Sequence, residues 1–202
     1  MCSSDLTTKA ADRFTKMAPL IARVAAGIEG AVALAAARTG GERHVRWETT
    51  PDCALDVAHV VLPPETARSF SMMIERLRAM GYDEPDRRYL VWFDGPAYCG
   101  TGLVVPDDPA APSRPDDTAP LWARVDRGCW GRMELHELLH LLGAVQPDAP
   151  HGTAAFHCTD GLDPMCGAAG AGDGTSRCGS ADALIPDCGG DDYFAAAPAP
   201  GT

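Results

Sequence analysis

The stretch HELLHLLGAVQPDAPHG, His136 to Gly152, decides how this chain is read. Its first half has helical spacing. Leu135, Leu138, Leu139 and Leu142 recur at intervals that line one side of a helix running from about Gly131 to Leu142. His136 and His140 stand four residues apart and therefore stack one turn from each other on a different side. Two imidazoles placed in this way can point at one divalent ion, each about 2.0–2.1 Å from it. Glu137 lies about 100° round the axis, within reach of a water on such an ion. The expectation is a helix with its leucine face in the core, its histidine face lining a cleft, and Gly143 as its stop.

A bound ion needs at least one more protein ligand. No glutamate follows Glu137, so the donor beyond the helix is a histidine or an aspartate. His151 is the first candidate, because the two prolines of VQPDAPH argue for a stiff, extended excursion that delivers it. His157 is the alternative third ligand, since a disulfide at Cys158 would hold it firmly. Asp148 and Asp160 stand behind both.

Working outward, strands and helices alternate before a tail rich in Gly, Asp and Cys. Residues 11 to 37 read as helix, with Phe14, Met17, Ile21, Val24 and Ile28 on one face and Gly27 and Gly30 as points of interruption. HVRWE (44–48) and ALDVAHVVL (54–62) read as strands, and Pro63-Pro64 opens a second helix over 65–80. RYLVWF (88–93) is an unbroken apolar run, the pattern of a strand buried on both faces. TGLVV (101–105) and LWARV (121–125) are further strands, either of which could form a sheet edge that holds an extended peptide. His44 and His59 read as structural histidines. The organisation is one domain over 10–202, with an upper part (10–143) ending in the histidine helix and a lower part (144–202).

Composition narrows the function classes. A net charge of −11 argues against nucleic acid or an anionic membrane surface as partner. Arg23 and Glu29 interrupt the apolar stretch from Met17 to Ala37, so no membrane span is expected. Eight cysteines point to disulfides and a secreted or extracytoplasmic home, and no Cys-x-x-Cys argues for a structural metal site. The opening MCSSDLTTKAADR has no apolar h-region, so a signal peptide is not expected within it. MCSSDLTTK (1–9) reads as a non-native or disordered start, which would make Cys2 foreign and leave seven native cysteines with one free. The aspartates of DGLDP, AGDG and DCGGDDYF could bind Ca2+, but their spacing does not match the twelve-residue calcium loop, so solvated turn carboxylates are expected.

His136, Glu137, His140 and Gly143, followed by PHG near 151 and GLDPMC (161–166), resemble the metal-site segment of metzincin-type zinc metalloproteases, and of secreted actinobacterial ones in particular. The resemblance implies an α+β fold. An N-terminal lobe of mixed twisted sheet and helices would lie above the zinc helix, with a small irregular disulfide-rich lobe below it. It further implies one catalytic Zn2+, Glu137 as general base, Met165 as a methionine turn, and a monomer acting on protein or peptide substrates. Two positions depart from the pattern. Gln146 stands where the third ligand of short-spaced relatives falls, and Gly167 stands where some relatives carry a tyrosine, for which Tyr98 or Tyr193 would have to substitute. The rival reading is a catalytically inactive, disulfide-stapled binding protein with a structural or vestigial zinc site.

Overall fold

The computed structural model describes residues 2–5, 12–95, 99–106, 119–166 and 178–196, as an α+β arrangement. In chain order its regular elements are strand β1 (Cys2–Asp5), helix α1 (Phe14–Arg38), β2 (Ala58–Val61), α2 (Phe70–Ala79), β3 (Arg88–Asp94), β4 (Gly100–Gly102), β5 (Leu121–Asp126) and α3 (Glu134–Leu141). The strands form one mixed sheet in the order β2-β1-β3-β5-β4. β1 pairs parallel with β2 and β3, and β3 pairs parallel with β5. β4 pairs antiparallel with β5, Gly100 opposite Val125 and Gly102 opposite Ala123. Thus Cys2–Asp5, read from sequence within a disordered or non-native start, pairs between β2 and β3. β4 is an edge, while LWARV lies in β5 between two neighbours and offers no edge.

Several elements differ from the sequence expectation for local reasons. HVRWE is not a strand, because Glu29 of α1 takes the Val45 amide at 2.7 Å and the His44 ring at 2.5 Å, replacing a ladder partner. The strand expected over 54–62 shortens to Ala58–Val61. The helix expected over 65–80 divides into a 3-10 turn, Pro64–Arg68, and α2. Ser69 between them is extended, and its hydroxyl accepts from Met72 N as an N-cap. Gly27 and Gly30 do not interrupt α1, which runs unbroken over 25 residues. α1 is long and apolar enough to cross a membrane by length and composition. Its Ile21, Ala25, Ile28, Val32, Ala35 and Ala36 are nonetheless buried at helical spacing, as in a core helix.

The described residues fall into two compact units. The first draws on Met1–Ala25, Arg46–Leu103 and Pro115–Leu141 and contains the sheet, α2 and α3. Its core gathers Val60, Met73, Leu77, Val91, Phe93 and Trp122. β3 is buried on both faces, as its apolar run implied. The second draws on Ala26–Val45, Val104–Arg114 and Leu142–Thr202. Beyond α3 it has no strand or α-helix among the described residues and is threaded by two short disulfides, Cys158–Cys166 and Cys178–Cys188. A third disulfide, Cys99–Cys129, belongs to the first unit. Three disulfides are consistent with an extracellular location. Cys53 is exposed and unpaired.

Candidate functional site

α3 is anchored at both ends. Gly131 adopts φ 80, and its amide donates to Glu134 Oε1 at 2.8 Å, in the manner of a capping box. The same oxygen accepts Trp92 Nε1–H from β3 at 2.8 Å, tying the first turn to the sheet. At the other end Arg88 Nε donates to Leu141 O at 3.0 Å, a cation at the negative end of the helix. Neither Glu134 nor Arg88 was a sequence candidate. Their nearest signal was a charged residue beside an apolar run.

Every residue of α3 is buried. The expectation of a leucine core face and an open histidine face therefore needs correction. His136 is 6% exposed, Glu137 3% and His140 7%, because the helix packs against β4 and β5 while Leu142, past its end, is exposed. His136 and His140 stand as their spacing required. Their Nε2 atoms are 3.1 Å apart, with the rings nearly perpendicular. Two ligand nitrogens of a tetrahedral ion held at about 2.1 Å lie roughly 3.4 Å apart, so the pair fits the donor geometry of zinc.

Glu137 lies between them in sequence, and its Oε2 has no hydrogen-bond partner among the described residues. Burial pushes its carboxyl up to about 8. Glu137 thus carries a buried oxygen without a partner on the same helix as the two convergent imidazoles, a group that a proton or a cation would satisfy.

Beyond the helix the chain turns at once. Gly143 takes φ 81, the left-handed C-terminal stop. Gln146 then donates from Nε2 to Gly143 O and Val105 O, so the residue at the short third-ligand spacing serves as a helix-end strut. VQPDAPH is not extended. Val145 adopts φ 53, and Ala149 N and Gly152 N close turns onto Gln146 O and Ala149 O. The prolines stiffen a folded excursion instead of a straight one.

His151 and His157 flank a small loop closed by Thr153 N to His157 O and Thr159 N to His151 O. His151 Nδ1 faces the Asp192 carboxylate. With Asp191 and Asp192 it forms a group of three ligand atoms within 4.8 Å of one another. His157 Nδ1 lies 2.7 Å from Ala155 O, and since a carbonyl only accepts, that nitrogen is the donor. Cys158 is disulfide-bonded to Cys166, as the reading of His157 supposed.

Three aspartates of this region correct a second expectation, because Asp160, Asp163 and Asp187 are each 5% exposed and are not solvated, while Asp191 is exposed as expected. Asp187 Oδ1 accepts Asp191 N, and its Oδ2 accepts the amides of Asp192, Tyr193 and Phe194. Asp163 accepts Met165 N, Asp187 N and Tyr193 Oη–H, and burial still pushes its carboxyl up to about 6. Tyr193, whose hydroxyl also accepts Asp187 N, is a strut and not a free proton donor. Its ionisation is raised well above the usual phenol range, first by burial and then by Asp163. Met165 is fully buried. Asp148 makes none of the contacts that organise the loop. Tyr98, Gly167 and AGDG lie outside the described residues.

Several of these groups therefore offer ligand atoms close enough for a metal ion. Cys158 with Cys166, and Cys178 with Cys188, are disulfides, so the clusters they form with Asp163 and Asp160 supply no thiolate. Comparison of the chain with family models, with curated proteins and with solved structures finds no match in any of the three.

Proposed function

We propose that this chain is a zinc-dependent endopeptidase of metzincin type, with His136 and His140 as ligands, His151 or His157 as the third donor that the sequence argues for, and Glu137 as general base. The observation that carries the reading is the convergence of the two Nε2 atoms at 3.1 Å on a helix that also holds a buried carboxylate oxygen without a partner among the described residues. Such an arrangement is costly for a merely structural helix and suits a helix that holds a cation.

Zinc, when bound, supplies a Lewis acid that acidifies water and polarises a peptide carbonyl. Glu137 does the proton work. Its carboxylate takes a proton from water at Oε2 and later returns it to the leaving amine. β4 is the edge at which an extended substrate could add as a strand, its one face bare of side chains at Gly100 and Gly102. The fully buried Met165, its amide fixed by Asp163, takes the part of the methionine turn.

The test is hydrolysis of casein and a fluorogenic peptide by the wild type and by Glu137→Gln, each with its zinc content measured. The reading expects equal zinc and a loss of activity of at least about 100-fold in the variant. Equal activity in both ends it. The rival, an inactive stapled protein with structural zinc, would bind the metal tightly and show no hydrolysis in either.

A further inference from the structure

Gly100 and Gly102 are two glycines on one face of a three-residue strand. Glycine is a poor strand former, weaker than alanine by roughly 0.5–1 kcal/mol. The usual excuse for it, a left-handed backbone, is absent. Positive φ occurs at Gly40, Gly81, Gly131, Gly143 and Gly190 but at neither of these two. Any L-residue could adopt their backbone conformation.

What a side chain would have to displace is Glu137. A Cβ at Gly100 would run into its carboxylate, Oε1 nearest, with Cδ 2.9 Å and Cγ 3.0 Å away. A Cβ at Gly102 would lie 2.9 Å from Oε2, the oxygen that has no partner. The three closest atoms at Gly100 all belong to this one side chain. A glycine inside a strand commonly marks a close approach, and here the approaching group is the carboxylate. Two further features hold the arrangement. Cys99, next to Gly100, is disulfide-bonded to Cys129 just ahead of α3, and Gly102 stands opposite Ala123 on β5.

We infer that Gly100 and Gly102 are positioning residues for the Glu137 carboxylate: by carrying no side chain they leave, on the edge strand, the volume that fixes its direction. The inference rests on the reading of Glu137 as general base for its catalytic meaning, but its steric content can be tested without activity.

The experiment is a double-mutant cycle in melting temperature, with Gly100→Ala made in the Glu137 and in the Glu137→Ala backgrounds. The readout is tryptophan fluorescence, since all four tryptophans lie in the unit that contains β4 and α3. Gly100→Ala should lower the midpoint by roughly 3–10 °C when Glu137 is present and leave it unchanged when residue 137 is alanine. Gly102→Ala should show the same pattern more weakly. If Gly100→Ala does not fold, recovery of folding in the double variant is the supporting result. Equal losses in both backgrounds, or none in either, overturn the inference. In the zinc-loaded protein, Gly100→Ala should lower kcat by about 100-fold with KM and zinc content unchanged. A wild type without hydrolytic activity rejects the endopeptidase reading, while the melting cycle still decides the steric claim.

Discussion

The two units reach order by different physics. In the first, Trp92, Trp122, Phe93 and Leu90 are enclosed within and around a five-stranded sheet, and the apolar area removed from water supplies the driving force. One buried cation there is fully paired. Arg124 is inaccessible, bidentate on Asp126, hydrogen-bonded to Thr66 O and Ala67 O, and stacked over Phe93. In the second unit, the buried anchors beyond α3 include three aspartates and two disulfides. Asp187 gathers four consecutive backbone amides, 191 to 194, and Asp163 ties Met165, Asp187 and Tyr193 together. Among the described residues, four of the six non-glycine positions with positive φ, Val145, Phe156, Leu162 and Asp187, fall here. A chain with few large apolar residues satisfies its backbone with carboxylates and holds strained turns by covalent staples.

The largest effect expected from this contrast comes from replacing Cys158, Cys166, Cys178 and Cys188 by serine. Each short loop contributes about 2.5 kcal/mol, so about 5 kcal/mol is lost together. Hydrogen exchange across 142–196 should accelerate by orders of magnitude, while the tryptophan-monitored transition moves far less. Equal collapse of both signals would mean that the units do not differ as described. Next is the mirror experiment. Trp122→Ala should cost the first unit about 4 kcal/mol in urea titrations followed by far-ultraviolet dichroism. A cost below about 1 kcal/mol would contradict an apolar core centred there.

A third, smaller effect is a pH dependence confined to the second unit. Burial raises the Asp163 carboxyl from 3.8 to about 6, against the three hydrogen bonds that favour its charged form. A raised carboxyl binds its proton more tightly in the folded state. Its contribution is therefore complete below about pH 4 and lost as the pH rises through about 6, in total roughly 3 kcal/mol. Protection of the amides at 187–194, corrected for intrinsic exchange, should fall over that window, and Asp163→Asn should flatten the profile. The smallest effect belongs to the first unit. Ser69→Ala removes the cap on Met72 N and should cost about 1 kcal/mol, measured as a shift in denaturant midpoint without a change in slope.

Legibility in the sequence tracked the same division. RYLVWF, LWARV and the histidine helix were readable because an apolar period reports directly on burial. The i, i+4 spacing alone brought His136 and His140 together. The second unit resisted reading because its order comes from side chain–backbone bonds that leave no period. Asp163 and Asp187 looked like turn residues, and nothing local distinguished a solvated aspartate from one that collects four amides. Gly102 reads as part of a strand, TGLVV, and nothing local explains a glycine there or at Gly100. Their reason lies 37 and 35 positions downstream in Glu137.

The sequence by itself settled what short-range geometry settles: the helix that carries the imidazole pair, the doubly buried strand, the cysteines that would staple a core-poor tail. The tertiary structure decided what depends on distant partners, namely that the imidazole face is enclosed, that β4 and not β5 is the edge beside it, and which carboxylates are buried. A helical or strand period is a property of consecutive residues, whereas solvent exclusion and hydrogen-bond partnership belong to groups that meet only when the chain has folded.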